Sequence, residues 1–316
     1  MRFRGDPAIW AAWLYYRENM TQADIGKAMG VSRATVNAYI SDARDRGVVS
    51  VRIDPAWLSA IELSEEITTR FGLQGTLVVP TPSAEDGNAT IVQRIGRAGA
   101  EFLTSHLRPG ATVGVAWGHT VLALAEAVTD PSIADLTVAQ LTGGTTSTFD
   151  FSPEFCASLL ARRLKARCLQ VTAPAVVSSP EVRSILMSEG ILAEQFRAIA
   201  QTDICVFGIC TTGSDSLVFT SGLLNPGELP VGPAGQAVAA IAGRFISSDG
   251  APILDSYDER VVGMGLDQLR SVETRIAVAG GLEKRAAIEA SLLGGYATHL
   301  VTDEKTAQAI LKTGGV

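Results

Sequence analysis

MTQADIGKAMGVSRATVNAYISDARDRG, residues 20–47, sets the frame for the rest of the chain. Thr21 stands where its hydroxyl can cap a helix. Ile25 and Met29 follow at a four-residue spacing that places both on one face. Gly30 ends that helix, because glycine reaches the left-handed angles that close a helix without a steric penalty. Ser32 caps a second helix, along which Val36 and Ile40 repeat the apolar spacing. Helix, glycine turn and second helix form the layout of a DNA-reading helix-turn-helix, with the second helix in the major groove. The alternative is a helical hairpin inside an ordinary fold, its charges merely solvated.

On the amino-terminal side, residues 7–18 predict an earlier helix with Ile9, Ala12, Trp13 and Tyr16 facing inward, which completes a three-helix core. On the other side, VVSVRID (residues 48–54) alternates apolar and polar and predicts a strand or wing, ended by Asp54-Pro55. Residues 57–71 predict a further helix. Leu58, Ile61, Glu65 and Thr68 fall in one row, with Leu63, Ile67 and Phe71 nearby. That helix either links to a second subunit or packs on its own domain, and its heptads are too few for a coiled coil. The expected divisions are a helix-turn-helix domain at 1–54, a linker helix at 55–72 and an effector-binding domain at 73–316.

Candidate DNA contacts are Thr21 and Gln22 on the first helix of the pair, and Ser32, Arg33, Thr35 and Asn37 at the start of the second. Arginine pairs bidentately with guanine and asparagine with adenine. Arg44, with Arg46 beside it, lies near the other end of that helix and suits phosphate. Charge agrees with this division. The 316 residues carry a net charge of −7. Residues 1–53 hold eight Lys or Arg against five Asp or Glu, a balance of +3, and residues 54–316 hold 18 against 28, a balance of −10. A small basic head on an acidic body fits phosphate contact through the head alone. One head at +3 binds weakly, and pairing of heads in a homodimer or homotetramer supplies the affinity.

Several classes are set aside by composition. Hydrophobic residues make up 47% and charged residues 19%, ample for a core, yet no apolar run is long enough to span a membrane. The amino terminus lacks the pattern of a signal peptide, so a cytoplasmic protein is expected. Cys156, Cys168, Cys205 and Cys210 form no CxxC pair, and His106, His119 and His299 are scattered. Free thiols, no metal site and no cofactor are expected.

After Gly72 the pattern changes to short β-branched runs separated by helical segments. The runs are TLVVP (76–80), TVGVAW (112–117), LTVAQL (136–141), RCLQV (167–171), DICVFG (203–208), RIAVAG (275–280) and HLVT (299–302). Each is almost continuously apolar, as strands buried on both faces are. Helical stretches such as IVQRIGRAGAEFLTSHL and VLALAEAV lie between them. The alternation implies an α/β domain, a doubly wound and mostly parallel sheet covered by helices. Ligands in such domains bind at the carboxyl ends of the strands.

Five polar, glycine-rich loops follow strands or strand-like runs: residues 117–120 (WGHT), 142–147 (TGGTTS), 208–216 (GICTTGSDS), 247–250 (SSDG) and 279–284 (AGGLEK). Any one of them could simply turn the chain. Together they suggest an anion cradle of backbone amides at a helix start, with Lys284 for a phosphate and Asp249 for sugar hydroxyls. His119 suits ligand contact better than catalysis, since no carboxylate lies near it in sequence to orient it.

With these residues in place, the chain resembles the SorC-type bacterial transcriptional regulators over nearly its full length. The resemblance rests on MTQADIGKAMGVSRATV and ARDRGVVSVRIDP at the head. In the body it rests on GVAWGHTV, LTGG, FISSDGAPI, IAVAGGLEKRAAIEASLLGG and HLVTDEKTA. It implies an effector domain similar to sugar-phosphate isomerases, whose ligand is a sugar, polyol or sugar phosphate. It also implies a double-stranded DNA operator, dimers or tetramers, and no enzymatic activity. Carried over residue by residue, Gly118, His119 and Thr120 would hold phosphate with Lys284, Gly143, Gly144 and Thr145 would line the sugar side, and Asp249 would hold hydroxyls. Two positions depart from the family: Asn37-Ala38 where Ser-Arg is usual, and His119 where arginine or threonine is usual. The rival reading is a sugar-phosphate isomerase or deaminase carrying an added DNA-binding head. A dinucleotide-binding oxidoreductase lacks its G-x-G-x-x-G fingerprint here.

Overall fold

The structure is a computed structural model describing residues 5–50, 55–81, 87–129, 131–145, 151–214, 216–225, 228–233 and 235–312. It divides into two compact units, Met1–Asp54 and Pro55–Val316.

The smaller unit holds helices α1 (Pro7–Tyr16), α2 (Gln22–Met29) and α3 (Arg33–Asp45). Thr21 Oγ1 accepts the Asp24 amide at 3.2 Å, and Ser32 Oγ accepts the Thr35 amide at 3.1 Å, so both expected caps form. Gly30 closes α2 with φ 71°, a left-handed angle that favours glycine. Ile25, Val36 and Ile40 are buried together with Ala11 and Leu14. The inward face of α1 differs from the expected one. Ala8, Ala11, Ala12 and Leu14 are buried, while Ile9, Trp13 and Tyr16 are exposed. The helix is apolar on almost every side, so periodicity does not choose a face. Alanines let α1 lie close against α3, which bulky aromatics would prevent. Trp13 stacks instead on Trp10, with ring centroids 5.0 Å apart. Of the expected wing, residues 48–50 form no strand and 51–54 lie outside the described residues.

The larger unit opens with α4 (Pro55–Phe71) and β1 (Gly75–Val79). The chain continues through α5 (Asn88–His106), β2 (Thr112–Val115), α6 (His119–Ala127), β3 (Thr137–Gln140), α7 (Pro153–Leu164) and β4 (Arg167–Leu169). Then come α8 (Pro180–Ser188), α9 (Gly190–Ile199), β5 (Ile204–Phe207), β6 (Cys210–Thr211) and α10 (Leu217–Thr220). Two short strands, β7 (Val231–Gly232) and β8 (Gly235–Gln236), precede β9 (Ala239–Ile241) and β10 (Arg244–Ile246). The chain closes with α11 (Leu266–Ser271), β11 (Thr274–Val278), α12 (Arg285–Leu293), β12 (His299–Asp303) and α13 (Glu304–Lys312).

Each of the seven apolar runs becomes a strand of one sheet, ordered β1-β12-β11-β5-β2-β3-β4. Every pairing in it is parallel, for example Val115 opposite Val206 and Gln140. Strands β3, β5 and β12 are buried along their whole length, as a sheet covered on both faces requires. The α/β expectation therefore holds. From β2 the chain winds outward through β3 to β4, then crosses back to β5 and winds the other way through β11 to β12. The winding reverses between β2 and β5, and the loops leaving their carboxyl ends part there to leave a crevice. A small antiparallel sheet, β10-β9-β6, adds a second apolar cluster around Val218, Phe245 and Tyr257. Helix α4 packs on β1 and α13 through Ala60 and Ile67, while Leu58 and Ile61 of the expected row are exposed, as is Trp57.

Candidate functional site

A cavity of about 830 Å³ lies at that reversal. Strand β2 runs on through Ala116 and Trp117 to Gly118, and α6 begins at His119. Gly118 has φ 120° and ψ 170°, and as a glycine it has no side chain with which to cap the helix it precedes. The first amides of α6 thus have no intrahelical acceptor and form a positively polarised end. Because His119 lines the cavity, this end opens onto it. Thr120 is turned the other way: it is buried, and its hydroxyl donates to the Val278 carbonyl at 2.8 Å, tying α6 to the end of β11.

The loop after β11 forms the facing wall. Gly280, Glu283 and Lys284 line the cavity, with Lys284 at the end of a short 3₁₀ turn that leads into α12. Buried Asp303, at the end of β12, braces this loop. Its Oδ2 accepts the Gly281 amide at 2.9 Å and the Thr306 hydroxyl at 2.5 Å. Among the described residues Lys284 makes no ion pair within 4.0 Å. Its charge reaches the groups around it. Burial holds the His119 pKa below its ordinary value, and the Lys284 charge lowers it further, so the imidazole is neutral at pH 7. Burial raises the Cys210 thiol, against the pull of the same lysine. The His119 ring also packs on Phe151, with centroids 4.2 Å apart.

The chain beyond β5 supplies Cys210 and Thr211 of β6, followed by Thr212, Gly213 and Ser216. Gln93 on α5 and Glu126 on α6 complete the polar lining, and Ile91, Val92, Leu122, Leu217 and Val238 give apolar wall. One cation, a helix amino end, a neutral imidazole, hydroxyls and carboxylates thus line one hollow. That combination suits a small hydroxylated molecule bearing one anionic group.

Not every residue expected here arrives. Gly143, Gly144 and Thr145 are not among the lining residues, because the chain after β3 continues as bridging backbone. The Gly143 amide donates to the Val262 carbonyl and the Gly144 amide to the Ala173 carbonyl, each at 2.8 Å, which leaves neither free for a ligand. Thr146 and Ser147 of the same loop lie outside the described residues. Asp249 is exposed and serves its own turn, accepting the Ser247 hydroxyl at 2.5 Å and the Ala251 amide at 3.2 Å. The Ser247 hydrogen bond is the main reason its carboxyl sits below the usual range.

In the smaller unit, Arg33, Gln22 and Asn37 form a chain on the exposed side of α2 and α3. Arg33 Nε donates to Gln22 Oε1, and Gln22 Nε2 donates to Asn37 Oδ1, each at 3.4 Å. Thr21 and Ser32 spend their hydroxyls on caps, and the Thr35 hydroxyl lies 2.9 Å from that of Ser32. Arg44 is exposed. Arg46 is engaged between Asp6 at 2.6 Å and Asp42 at 2.9 Å, so it fastens α1 to α3 rather than standing ready for phosphate.

Comparison with known proteins settles the family. A family model described as "Putative sugar-binding domain" matches residues 57–312. The chain is 33% identical to the uncharacterized transcriptional regulator YjhU of Escherichia coli (strain K12), over 98% of this chain and 95% of that one. The chain belongs to the SorC-type, sugar-binding transcriptional regulators. This regulator is also 31% identical to the transcriptional regulator LsrR of Klebsiella pneumoniae subsp. pneumoniae, over 95% of this chain and 91% of that one. Its fold is that of the full-length sorbitol operon regulator SorC from Klebsiella pneumoniae, at a TM-score of 0.73 and 24% identity, covering 96% of this chain and 97% of that one. No helix among its described residues is long and apolar enough to cross a membrane.

The pocket residues that sequence reasoning left unnamed divide in two. Thr211, Thr212 and Ser216 lay in a loop already marked by its glycines and hydroxyls. Gln93 and Glu126 sit within helices, where nothing local separates a pocket-facing polar residue from a solvated one.

Proposed function

We propose that this chain controls transcription of a carbohydrate or polyol catabolic operon, reading operator DNA through residues 1–54 and sensing a small sugar, polyol or sugar phosphate in the cavity between the loops after β2, β5 and β11. The observation that carries the reading is Lys284 in one cavity with the amino end of α6, at the point where the winding of the sheet reverses. The relatives are named as regulators, one of them for a sorbitol operon, which places polyols within the class to be tested. That naming, over almost the full length of the chain, favours a regulator over an isomerase with an added head.

Arg33, Asn37 and Gln22 are the base-reading candidates, and Arg44 the phosphate contact. For the ligand to act, it must bind unequally to two arrangements of paired heads, in a homodimer or homotetramer, and so change their fit to two half-sites. A gel-shift series on DNA upstream of the gene and its neighbours, with and without sugars, polyols and their phosphates, tests the proposal. The expected result is a shift whose midpoint moves with one ligand class. No shift on any such fragment at low salt defeats it.

A further inference from the structure

Among the described residues Ser179, with φ −152°, caps its helix through its hydroxyl, and Thr21, Ser32 and Ser152 do so from φ between −71° and −62°. Ser216 has the same backbone, φ −70° and ψ 157°, at the start of α10, but makes no capping bond. Its residue is 6% exposed, it lines the cavity, and its Oγ has no hydrogen-bond partner among the described residues. Leaving a buried hydroxyl unpaired is unfavourable. The amide it would cap, that of Phe219, is spent on the Ser216 carbonyl at 3.1 Å, so the buried hydroxyl is left facing a hollow of this size and is placed for a group that enters it. The neighbourhood indicates which group. Ser216 adjoins Leu217, whose Cδ1 lies 3.3 Å from where a Cβ on Gly118 would stand. Ser216, His119 at the amino end of α6 and Lys284 all line this one cavity.

We propose that Ser216 Oγ is a ligand contact that donates to an oxygen of the effector's anionic head, held jointly with the first amides of α6 and the Lys284 ammonium. This deepens the function proposed above and rests on it.

The test uses the full chain as wild type, Ser216→Ala, Ser152→Ala and Lys284→Met. Thermal melts are measured alone and with inorganic phosphate, D-ribose 5-phosphate, D-glucitol 6-phosphate and the two unphosphorylated parents. Without additive, Ser216→Ala melts within about 1 °C of wild type, because no bond is lost. Ser152→Ala, which removes a working cap, melts about 2–4 °C lower. With phosphate or a phosphorylated probe, Ser216→Ala binds about tenfold more weakly than wild type, and Lys284→Met is weakened at least as much. If Ser216→Ala melts as low as Ser152→Ala without additive, the hydroxyl is structural and the proposal fails. If Ser216→Ala matches wild type with every probe while Lys284→Met does not, the contact is refuted and the cavity reading survives. If no probe shifts the wild type, the cavity reading falls and takes this contact with it.

Discussion

Gly118, with φ 120° and ψ 170°, occupies a region essentially closed to residues bearing a Cβ. Strand β2 must turn sharply there for α6 to present its amino end to the cavity. Gly118→Ala is expected to cost about 1–3 kcal/mol of stability, from backbone strain alone. It should also weaken ligand binding about tenfold or more, because the first amides of α6 shift together. Urea melts and calorimetric titration of the variant check both, and unchanged affinity would mean those amides do not bind ligand. His299 is the other residue with a sharp consequence. Burial, aided by the charges of His106 and Arg275, holds its pKa at about 4, below the ordinary 6.5. The unfolded chain thus takes up a proton between those values that the folded chain refuses. Stability is full above pH 6.5 and falls as pH drops toward 4, by about 3 kcal/mol from this residue and about 2 kcal/mol of that by pH 5. His299→Phe, which keeps a ring against Phe102, should flatten the urea midpoint between pH 6.5 and 5, and an unaltered slope would place the proton elsewhere. At this scale sequence and structure part company most. Lys284 and His119 were readable because a lysine and a histidine beside glycine turns are chemically conspicuous. Asp249 looked equally conspicuous but is consumed by its own turn, and sequence alone cannot separate a turn-forming aspartate from a ligand-holding one.

At the scale of elements the agreement is closer, because period and punctuation act locally. Seven apolar runs became seven parallel strands, since continuous β-branched apolar sequence has few other ways to bury both faces. The caps Thr21 and Ser32 formed where the serine/threonine positions and Gly30 put them. Helix α1 went against expectation because the face it buries is chosen by how near alanine lets α3 approach, a tertiary fact. Helix α3 carries a prediction of its own, since its two ends should do different work. Asn37 lies in the first turns, hydrogen-bonded to Gln22 and through it to Arg33. Asn37→Ala should cost about 1–3 kcal/mol on the cognate operator and relax preference at one base pair. Arg44→Ala should weaken every sequence alike and reduce the salt slope by about one. Binding measured on a set of single-base operator variants across several salt concentrations separates the two. Equal loss across all sequences for Asn37→Ala would remove it from the base-reading set.

Over the whole chain, charge is divided unevenly, +3 before residue 54 and −10 from it onward. On the proposed function, the acidic body would keep nucleic acid to residues 1–54, and one such unit at +3 would hold DNA weakly. At about 0.9 counterions released per phosphate contact, a single head making two or three contacts gives a shallow salt dependence and a weak complex. Joining heads makes the second contact intramolecular and can raise affinity by about 10²–10⁴ without new chemistry. The full chain should therefore bind a fragment with two half-sites, set an integral number of helical turns apart, at least about a hundredfold more tightly than a fragment with one. The salt slope should nearly double between them. Displacing one half-site by about five base pairs turns it to the opposite side of the duplex and should abolish the gain. Effector added to the two-site complex should change its midpoint but leave the one-site midpoint where it was, because the ligand acts on how two heads fit rather than on what either head reads. Anisotropy titrations of the three fragments, with and without effector and across several salt concentrations, measure all of this. Equal affinity for one and two half-sites would mean that each head works alone, and an effector response on the single half-site would mean that the ligand alters the head itself.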